Sequence, residues 1–394
     1  MKPDSWKALE NPDIGQEKLY ITLYYIYFKM TESNGGANGR SSKKALVLAG
    51  GYGTRLRPLT LKTPKELLPV AGVPAIEYLL ENLSRHGFRD VVLSVNDTFF
   101  SRLKNHIGSG RQFGLDSVSY VVEATGSEDK KLGAVGALDF IASQVEFNSN
   151  TLIVGADNFS PYFDFSALEE SHLASGATAT IGLHKFPHKE LLSQMGIAEV
   201  SGEGKIVQFH EKPKDPPSDL ISTAIYYVGP EFFIETVPEY IEKQRALGKK
   251  PDNLGDIWEH LLSKSRHLNG FISKEFWIDI GKPQGYLLAN EFSLEKRLFG
   301  RHYFSKDAVI GDGTHARGPT LVDGGAKIGK NVSLLKNNHI MGEAVIGDNS
   351  QLENCLVFPG SVVGDGCALS NCIVCEGAKI PDGKIISGEH RVLS

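Results

Sequence analysis

The sequence predicts an α/β unit on a doubly wound, mostly parallel sheet, followed by a solenoid of six-residue repeats. Two changes of pattern carry this reading. Between residue 43 and about residue 298, short β-branched runs alternate with helical stretches, and after Tyr303 the apolar spacing settles at six. A third feature, a glycine-rich stretch at the end of the first strand, says what the α/β unit handles.

Residues 91–95, 119–122, 151–154 and 179–183 are short apolar runs that read as buried strands. Residues 76–86, 132–143 and 165–175 carry helical spacing between them. Such alternation implies a sheet covered by helices on both faces. In sheets of this kind ligands bind beyond the carboxyl ends of the strands. The segment that matters therefore begins where the strand ending at Ala49 stops.

In the solenoid, Ile310, Ala316, Val322, Ile328, Leu334, Ile340, Ile346 and Leu352 follow one another at intervals of six, all aliphatic or Ala. The ladder slips by one residue at Val357 and again at Val374. Three hexads close a triangular coil of about eighteen residues with one apolar side chain per face pointing inward. This resembles the left-handed parallel β-helix, and about five coils fit the length. All four cysteines lie here and read as small buried hydrophobes; Cys372 and Cys375 lack the second pair a zinc site needs. The expected role is packing several β-helices together or capping the α/β unit. An alternative is an added acyltransferase using His315 or His339, since the repeat fold hosts such enzymes. His339 directly precedes the inward Ile340, so it should point outward, as a solvated side chain or a subunit contact.

The strand ending in Leu48 and Ala49 runs into Gly50, Gly51, Tyr52 and Gly53, then Thr54 and Arg55, with Lys65 ten residues on. Glycines there let backbone N–H groups approach an anion closely, and two tethered cations supply charge for a polyphosphate. The dinucleotide fingerprint fails at Leu56, where a third glycine is required, and Thr54-Arg55 does not close a P-loop. The spacing Gly-x-Gly-Thr-Arg-Leu-x-Pro-Leu-Thr, followed by Pro-Lys-x-Leu-Leu-Pro-Val, resembles the signature of the sugar-1-phosphate nucleotidylyltransferases. The resemblance spans 43–298 and implies a nucleotide-diphospho-sugar transferase-like fold.

The family resemblance implies several roles. Leu48, Ala49, Gly50, Gly51, Gly53, Thr54, Arg55, Glu123 and Gly133 would bind the nucleotide. Arg55 would meet the β- and γ-phosphates, and Lys65 the charge developing near the α-phosphate. Asp157, in Gly155-Ala156-Asp157-Asn158, resembles the Gly-Asp-Asn metal motif with Ala156 inserted before the carboxylate. Asp279, in Trp277-Ile278-Asp279-Ile280-Gly281, would be the second ligand to Mg²⁺. Glu211-Lys212-Pro213 would hold the sugar, Lys212 on its phosphate and Glu211 on its hydroxyls, with Gly196 lining the sugar. The sequence departs from the family where Glu123 is followed by an insertion (124–131), and where Met195-Gly196-Ile197 replaces the usual Tyr-Gly-Val. Base and sugar therefore stay open.

Composition narrows the setting. A net charge of −5 argues against a nucleic-acid partner, which would usually require a basic surplus. Cysteines confined to the solenoid suit a reducing cytoplasm. The aromatic run 19–28 is too short for a membrane span of roughly 20 residues. Residues 1–42 read as an N-terminal extension, either an upstream segment before a start at Met30 or a genuine arm. Residues 303–394 form the solenoid, through which a homo-oligomer is expected. The alternatives kept are the bifunctional acyltransferase and a non-catalytic regulatory subunit of the same plan.

Overall fold

Strand β1 (Lys43–Ala49) carries apolar residues at nearly every position because both its faces are covered. Ala45, Val47 and Ala49 enter one apolar cluster, while Leu46 and the partly buried Leu48 enter another on the opposite side of the sheet. The computed structural model describes residues 42–127, 132–187, 189–388 and 390–394, which form one unit. The expectations for the N-terminal extension and for part of the 124–131 insertion lie outside the described residues.

The strands after β1 are β2 (Phe88–Asn96), β3 (Ser117–Glu123), β4 (Thr151–Gly155), β5 (Asn158–Phe159), β6 (Ala179–Lys185), β7 (Gly196–Val200), β8 (Ile206–Glu211), β9 (Leu220–Val228), β10 (Leu268–Ser273) and β11 (Ile278–Asp279). Helices α1 (Ala75–Arg85), α2 (Asp97–Ile107) and α4 (Phe165–Ser175) pack on one face, and α3 (Ala134–Gln144), α5 (Val237–Ala246) and α6 (Gly255–Ser263) on the other. Helix α7 (Pro283–Leu298) leads out of the sheet domain. The sheet runs β8-β7-β9-β4-β1-β2-β3, with β6 pairing β9 and β10.

Strands β3, β2, β1 and β4 are parallel neighbours, as the alternation predicts. Beyond β4 the sheet turns mixed: β9 is antiparallel to β4, β6 and β7, and β7 to β8. For β7 and β8 the cause is loop length. β7 and β8 are joined by a tight turn in which the Gly204 N–H donates to the Ser201 carbonyl, and so short a connection permits only antiparallel pairing.

From His302 the chain forms three all-parallel sheets of six, five and five short strands, a left-handed β-helix. Val322, Ile328, Leu334, Ile340, Ile346 and Leu352 are all buried in its interior. His339 pairs with Leu356 and Leu356 with Ile373, so these coils are one residue short of the regular eighteen, where the sequence ladder slips. Asn at left-handed corners supports the turns: the Asn354 side chain (φ 51) donates to that of Asn371 (φ 53) at 2.8 Å. All four cysteines are buried thiols, as expected.

One β-helix face does not meet solvent. Its outward residues Leu356 and Ile373, with Met341 and Phe358, share an apolar cluster with Leu56, Leu68, Val70, Ile280 and Tyr286 of the α/β unit. Leu321 packs with Ala71, Leu294 and Leu298. The β-helix therefore caps the unit whose loops carry the candidate site. The expectation for His339 is corrected here. It does point out of its coil, but it is only 1% exposed, its Nε2–H donating to Asp323 Oδ2 (3.0 Å) beneath the α/β unit. His315 is exposed, with Ser333 Oγ 3.4 Å from its Nε2.

Candidate active site

The glycine loop leaves β1 at its carboxyl end, where β2, β3 and β4 also stop. Gly50 has no room for a side chain: a Cβ there would lie 2.8 Å from Glu123 Oε1. That carboxylate is buried and accepts a hydrogen bond from Ser94 Oγ at 2.5 Å, while burial pushes its pKa up against the pull of that bond. The Gly50 carbonyl accepts from Asn96 Nδ2 at 3.1 Å, and the Gly53 carbonyl from Thr60 Oγ1 at 2.7 Å. Thr54, Arg55 and Leu56 form a single 3₁₀ turn, leaving Arg55 exposed above the loop.

Lys65 is buried, with its Nζ beside Gly51 and 2.5 Å from Asp157 Oδ2. The Ala156 N–H donates to the Leu48 carbonyl, extending the β1–β4 ladder by one residue, so Asp157 emerges one step beyond the strand. This accounts for the inserted Ala156. Burial alone would depress the Lys65 ammonium, but the Asp157 carboxylate, helped by Glu66 and Asp279, holds its pKa above the ordinary lysine value. Burial likewise opposes ionisation of Asp157, yet Lys65 and Arg55 leave its pKa below the usual carboxylate range. The pair is a preformed ammonium–carboxylate contact.

Asp279 joins it through β11, which pairs antiparallel with β5 so that Asp279 stands opposite Asn158 and the Ile280 N–H reaches the Asp157 carbonyl at 2.9 Å. Burial and then the Asp157 charge raise the Asp279 pKa, against the Gly281 N–H bond (2.6 Å), Lys65 and Lys282. Two carboxylates that disfavour each other's ionisation suit a divalent cation. Among the described residues no cluster of three or more His, Cys, Asp or Glu exists, so a hard ion held here would complete its shell with water and phosphate oxygens, as Mg²⁺ does.

A second group lies at the ends of β7 and β8. The Glu211 carboxylate lies over Gly255 and Gly196 and pairs with Lys212 Nζ at 2.8 Å. Lys212 Nζ also donates to Asn253 Oδ1 at 3.0 Å, and the Glu211 N–H to Glu259 Oε1 at 2.9 Å. Lys282 connects the two groups. It acts on Asp279 electrostatically and donates to Gln194, beside Met195, whose carbonyl accepts from the Lys212 N–H. Gly133 closes the ring by packing on Asp252, next to Asn253. The candidate residues thus fall into two groups, one around Lys65, Asp157 and Asp279 and one around Glu211 and Lys212, with Lys282 between them. Sequence reasoning gave no role to Ser94, Glu66, Asn253, Glu259 or Lys282; Glu66 stood at the variable position of Pro-Lys-x-Leu-Leu-Pro-Val, and Lys282 directly after Trp-x-Asp-x-Gly.

Glu66 is fully buried, and among the described residues neither of its carboxylate oxygens has a hydrogen-bond partner. Burial raises its pKa to about 7, against the attraction of Lys65. Between the ordinary 4.5 and about 7 the folded chain keeps a proton that the unfolded chain has lost. Stability therefore falls as pH rises through that window, by on the order of 3 kcal/mol, and the cost persists above it. Glu66→Gln escapes this cost. The melting temperature of the metal-free variant, relative to the parent chain, should be clearly higher at pH 8 than at pH 5. A difference independent of pH would show that Glu66 does not titrate in the fold.

Comparison with known proteins places the chain beside enzymes that use sugar 1-phosphates. A family model described as nucleotidyl transferase matches residues 44–296. A UTP–glucose-1-phosphate uridylyltransferase from Synechocystis sp. is 28% identical over 332 residues, covering 80% of this chain and 82% of the relative. A mannose-1-phosphate guanylyltransferase from Mycobacterium tuberculosis is 28% identical over 319 residues, covering 80% of each chain. A Bacillus anthracis crystal structure assigned as a glucose-1-phosphate thymidylyltransferase, in complex with a sucrose, superposes with a TM-score of 0.55 at 26% identity. It covers 64% of this chain and 95% of that one. With the match spanning residues 44–296 of the α/β unit, the chain belongs to the nucleotidyl transferase family.

Proposed function

We propose that the protein transfers a nucleotidyl group from a nucleoside triphosphate to a sugar 1-phosphate, giving an NDP-sugar and pyrophosphate. The observation that carries this reading is the buried Lys65–Asp157 pair with Asp279 beside it, directly under the glycine loop. In the reaction a sugar-phosphate oxygen bonds to the α-phosphorus and the bond to the bridging oxygen of pyrophosphate breaks. Such transfer needs positioning and charge stabilisation more than covalent help. Arg55 binds the β- and γ-phosphates, and Lys65 moves from Asp157 to the charge on the α-phosphate. Lys212 holds the sugar phosphate, with Glu211 on the sugar hydroxyls. Asp157 and Asp279 would hold Mg²⁺, which when bound would supply Lewis-acid screening of the phosphates.

The base is read at Glu123, held by Ser94 against Gly50. An ionised carboxylate only accepts, which favours the paired N–H donors of guanine over uracil or thymine. The test is pyrophosphate release from five nucleoside triphosphates against several sugar 1-phosphates. GTP should lead; absence of release in every combination would refute the transfer reading. Four buried, unpaired thiols fit a reducing cytoplasm, and among the described residues no helix is long and apolar enough to cross a membrane. Self-association through the β-helix faces not covered by the α/β unit completes the proposal; exposed Val309 and Ile385 lie there. Light scattering that shows only 43.0 kDa monomers at micromolar concentration would refute it.

A further inference from the structure

The turn that carries Lys65 is followed at once by a small hairpin, Pro69–Val70 paired with Val73–Pro74. Its tip, Ala71-Gly72, is held from two directions. From α7, Asn290 Oδ1 accepts the Ala71 N–H at 2.8 Å and Arg297 Nη1 donates to the Ala71 carbonyl. Tyr286 donates to the Pro69 carbonyl at 2.5 Å. From the β-helix, Leu321 and His339 close over Gly72: a Cβ there would lie 3.4 Å from Leu321 Cδ2 and 3.8 Å from His339 Cε1, with Arg297 Nη1 at 3.2 Å. Asp323 fixes the His339 ring. Both tip residues have positive φ, 48° at Ala71 and 84° at Gly72. For Ala71 that conformation is costly unless its surroundings impose it.

We infer that Arg297, together with the β-helix seat formed by Leu321 and His339, positions Lys65 for the transfer. The inference rests on the role given to Lys65 above. A lysine side chain has four rotatable bonds, so where its ammonium sits depends on how firmly its backbone is held. Among the described residues the backbone of the loop from Lys65 to Leu68 is hydrogen-bonded only within its own short turns (Leu67 N–H to Pro64, Leu68 N–H to Lys65) and at its junction with α1, while Leu68 packs in the shared apolar cluster. The hairpin clamp adds a polar anchor from α7, six residues from Lys65 along the chain, beside the Tyr78 hydroxyl that donates to the Val70 carbonyl at 2.9 Å. A displacement of about 1 Å in a positioned group can cost roughly a hundredfold in rate. Because Lys65 is assigned to charge that grows in the transition state, the loss belongs in kcat rather than in sugar-phosphate binding.

The test uses the full chain with Mg²⁺ and the best substrates. Arg297→Ala should lower kcat roughly tenfold or more, with the sugar-phosphate KM within about twofold of the parent. Arg297→Lys, which can still donate to the Ala71 carbonyl, should restore most of that loss. Leu321→Ala and Gly72→Ala, measured well below their melting temperatures, should repeat the kcat defect, so the outcome does not depend on one variant folding. Variants that melt lower but keep the parent kcat would overturn the inference and leave the clamp as plain packing. Lys65→Ala separates the two readings. If it keeps full kcat, the site assignment fails; if it loses kcat while all three clamp variants keep theirs, only the clamp fails.

Discussion

Asp279→Asn is expected to lower turnover by about a thousandfold at saturating Mg²⁺ without destabilising the metal-free chain. Screening of phosphate charge by a bound cation contributes several kcal/mol in the transition state, and each 1.36 kcal/mol is tenfold in rate. The stability half follows from the sign of the shift. The Asp279 pKa is raised, by burial and by Asp157, so its ionised form costs folding energy at neutral pH and the amide removes that cost. Asp157→Asn should abolish turnover to a similar extent but behave oppositely in stability. The lowered Asp157 pKa marks a carboxylate that stabilises the fold at neutral pH, a contribution lost as pH falls through the acid range. Its removal strips buried Lys65 of its partner. Melting curves with and without Mg²⁺ check both: the parent should be stabilised by the ion and both variants should not. Near-normal turnover of either variant would remove that residue from the site.

Leu356→Asp should unfold more than its own coil. Leu356 and Ile373 are 0% exposed, and they complete a cluster shared with Leu68, Val70 and Tyr286 rather than one internal to the β-helix. Truncating such a leucine to Ala costs about 2–5 kcal/mol, and an unpaired buried charge costs more. The same reasoning says that a chain ending at Arg301 uncovers this cluster and Ala71 together. It should aggregate or melt far below the full chain, and lose the Lys65 loop with it. A soluble, cooperatively melting fragment with parent-like turnover would show the cap to be dispensable.

Much of this was legible because period and spacing leave few alternatives. A ladder of inward residues at intervals of six permits one coil geometry, and its two slips predicted the short coils at Leu356 and Ile373. The glycine loop, Asp157, Lys212 and Asp279 sit in motifs whose order implies a shared rim. What escaped was contact between segments distant in sequence. The position of His339 next to Ile340 says that its ring points out of the coil, not that Gly72 and Arg297 will cover it. A signal existed: on that face the outward residues include Leu321, Leu356 and Ile373, whereas another face shows Lys327 and Lys379. Glu66 was unreadable for a different reason. Burial of a carboxylate beside a lysine depends on α1 closing on the turn that carries it, and no local pattern encodes it. The antiparallel half of the sheet escaped because alternation of strands and helices fixes coverage of the sheet more firmly than strand direction.

The central claim is that this site joins a nucleotide to a sugar phosphate through the α-phosphorus. Phosphorus NMR of the full chain with Mg²⁺, GTP and a sugar 1-phosphate tests it most directly, because every phosphorus of the substrates is seen at once. The triphosphate and sugar-phosphate signals should fall together, replaced in equal amounts by the coupled pair of an NDP-sugar and by pyrophosphate, with none of this in Asp279→Asn. Release of inorganic phosphate with a nucleoside diphosphate, while the sugar-phosphate signal stays unchanged, would place the attack on the γ-phosphorus and contradict it.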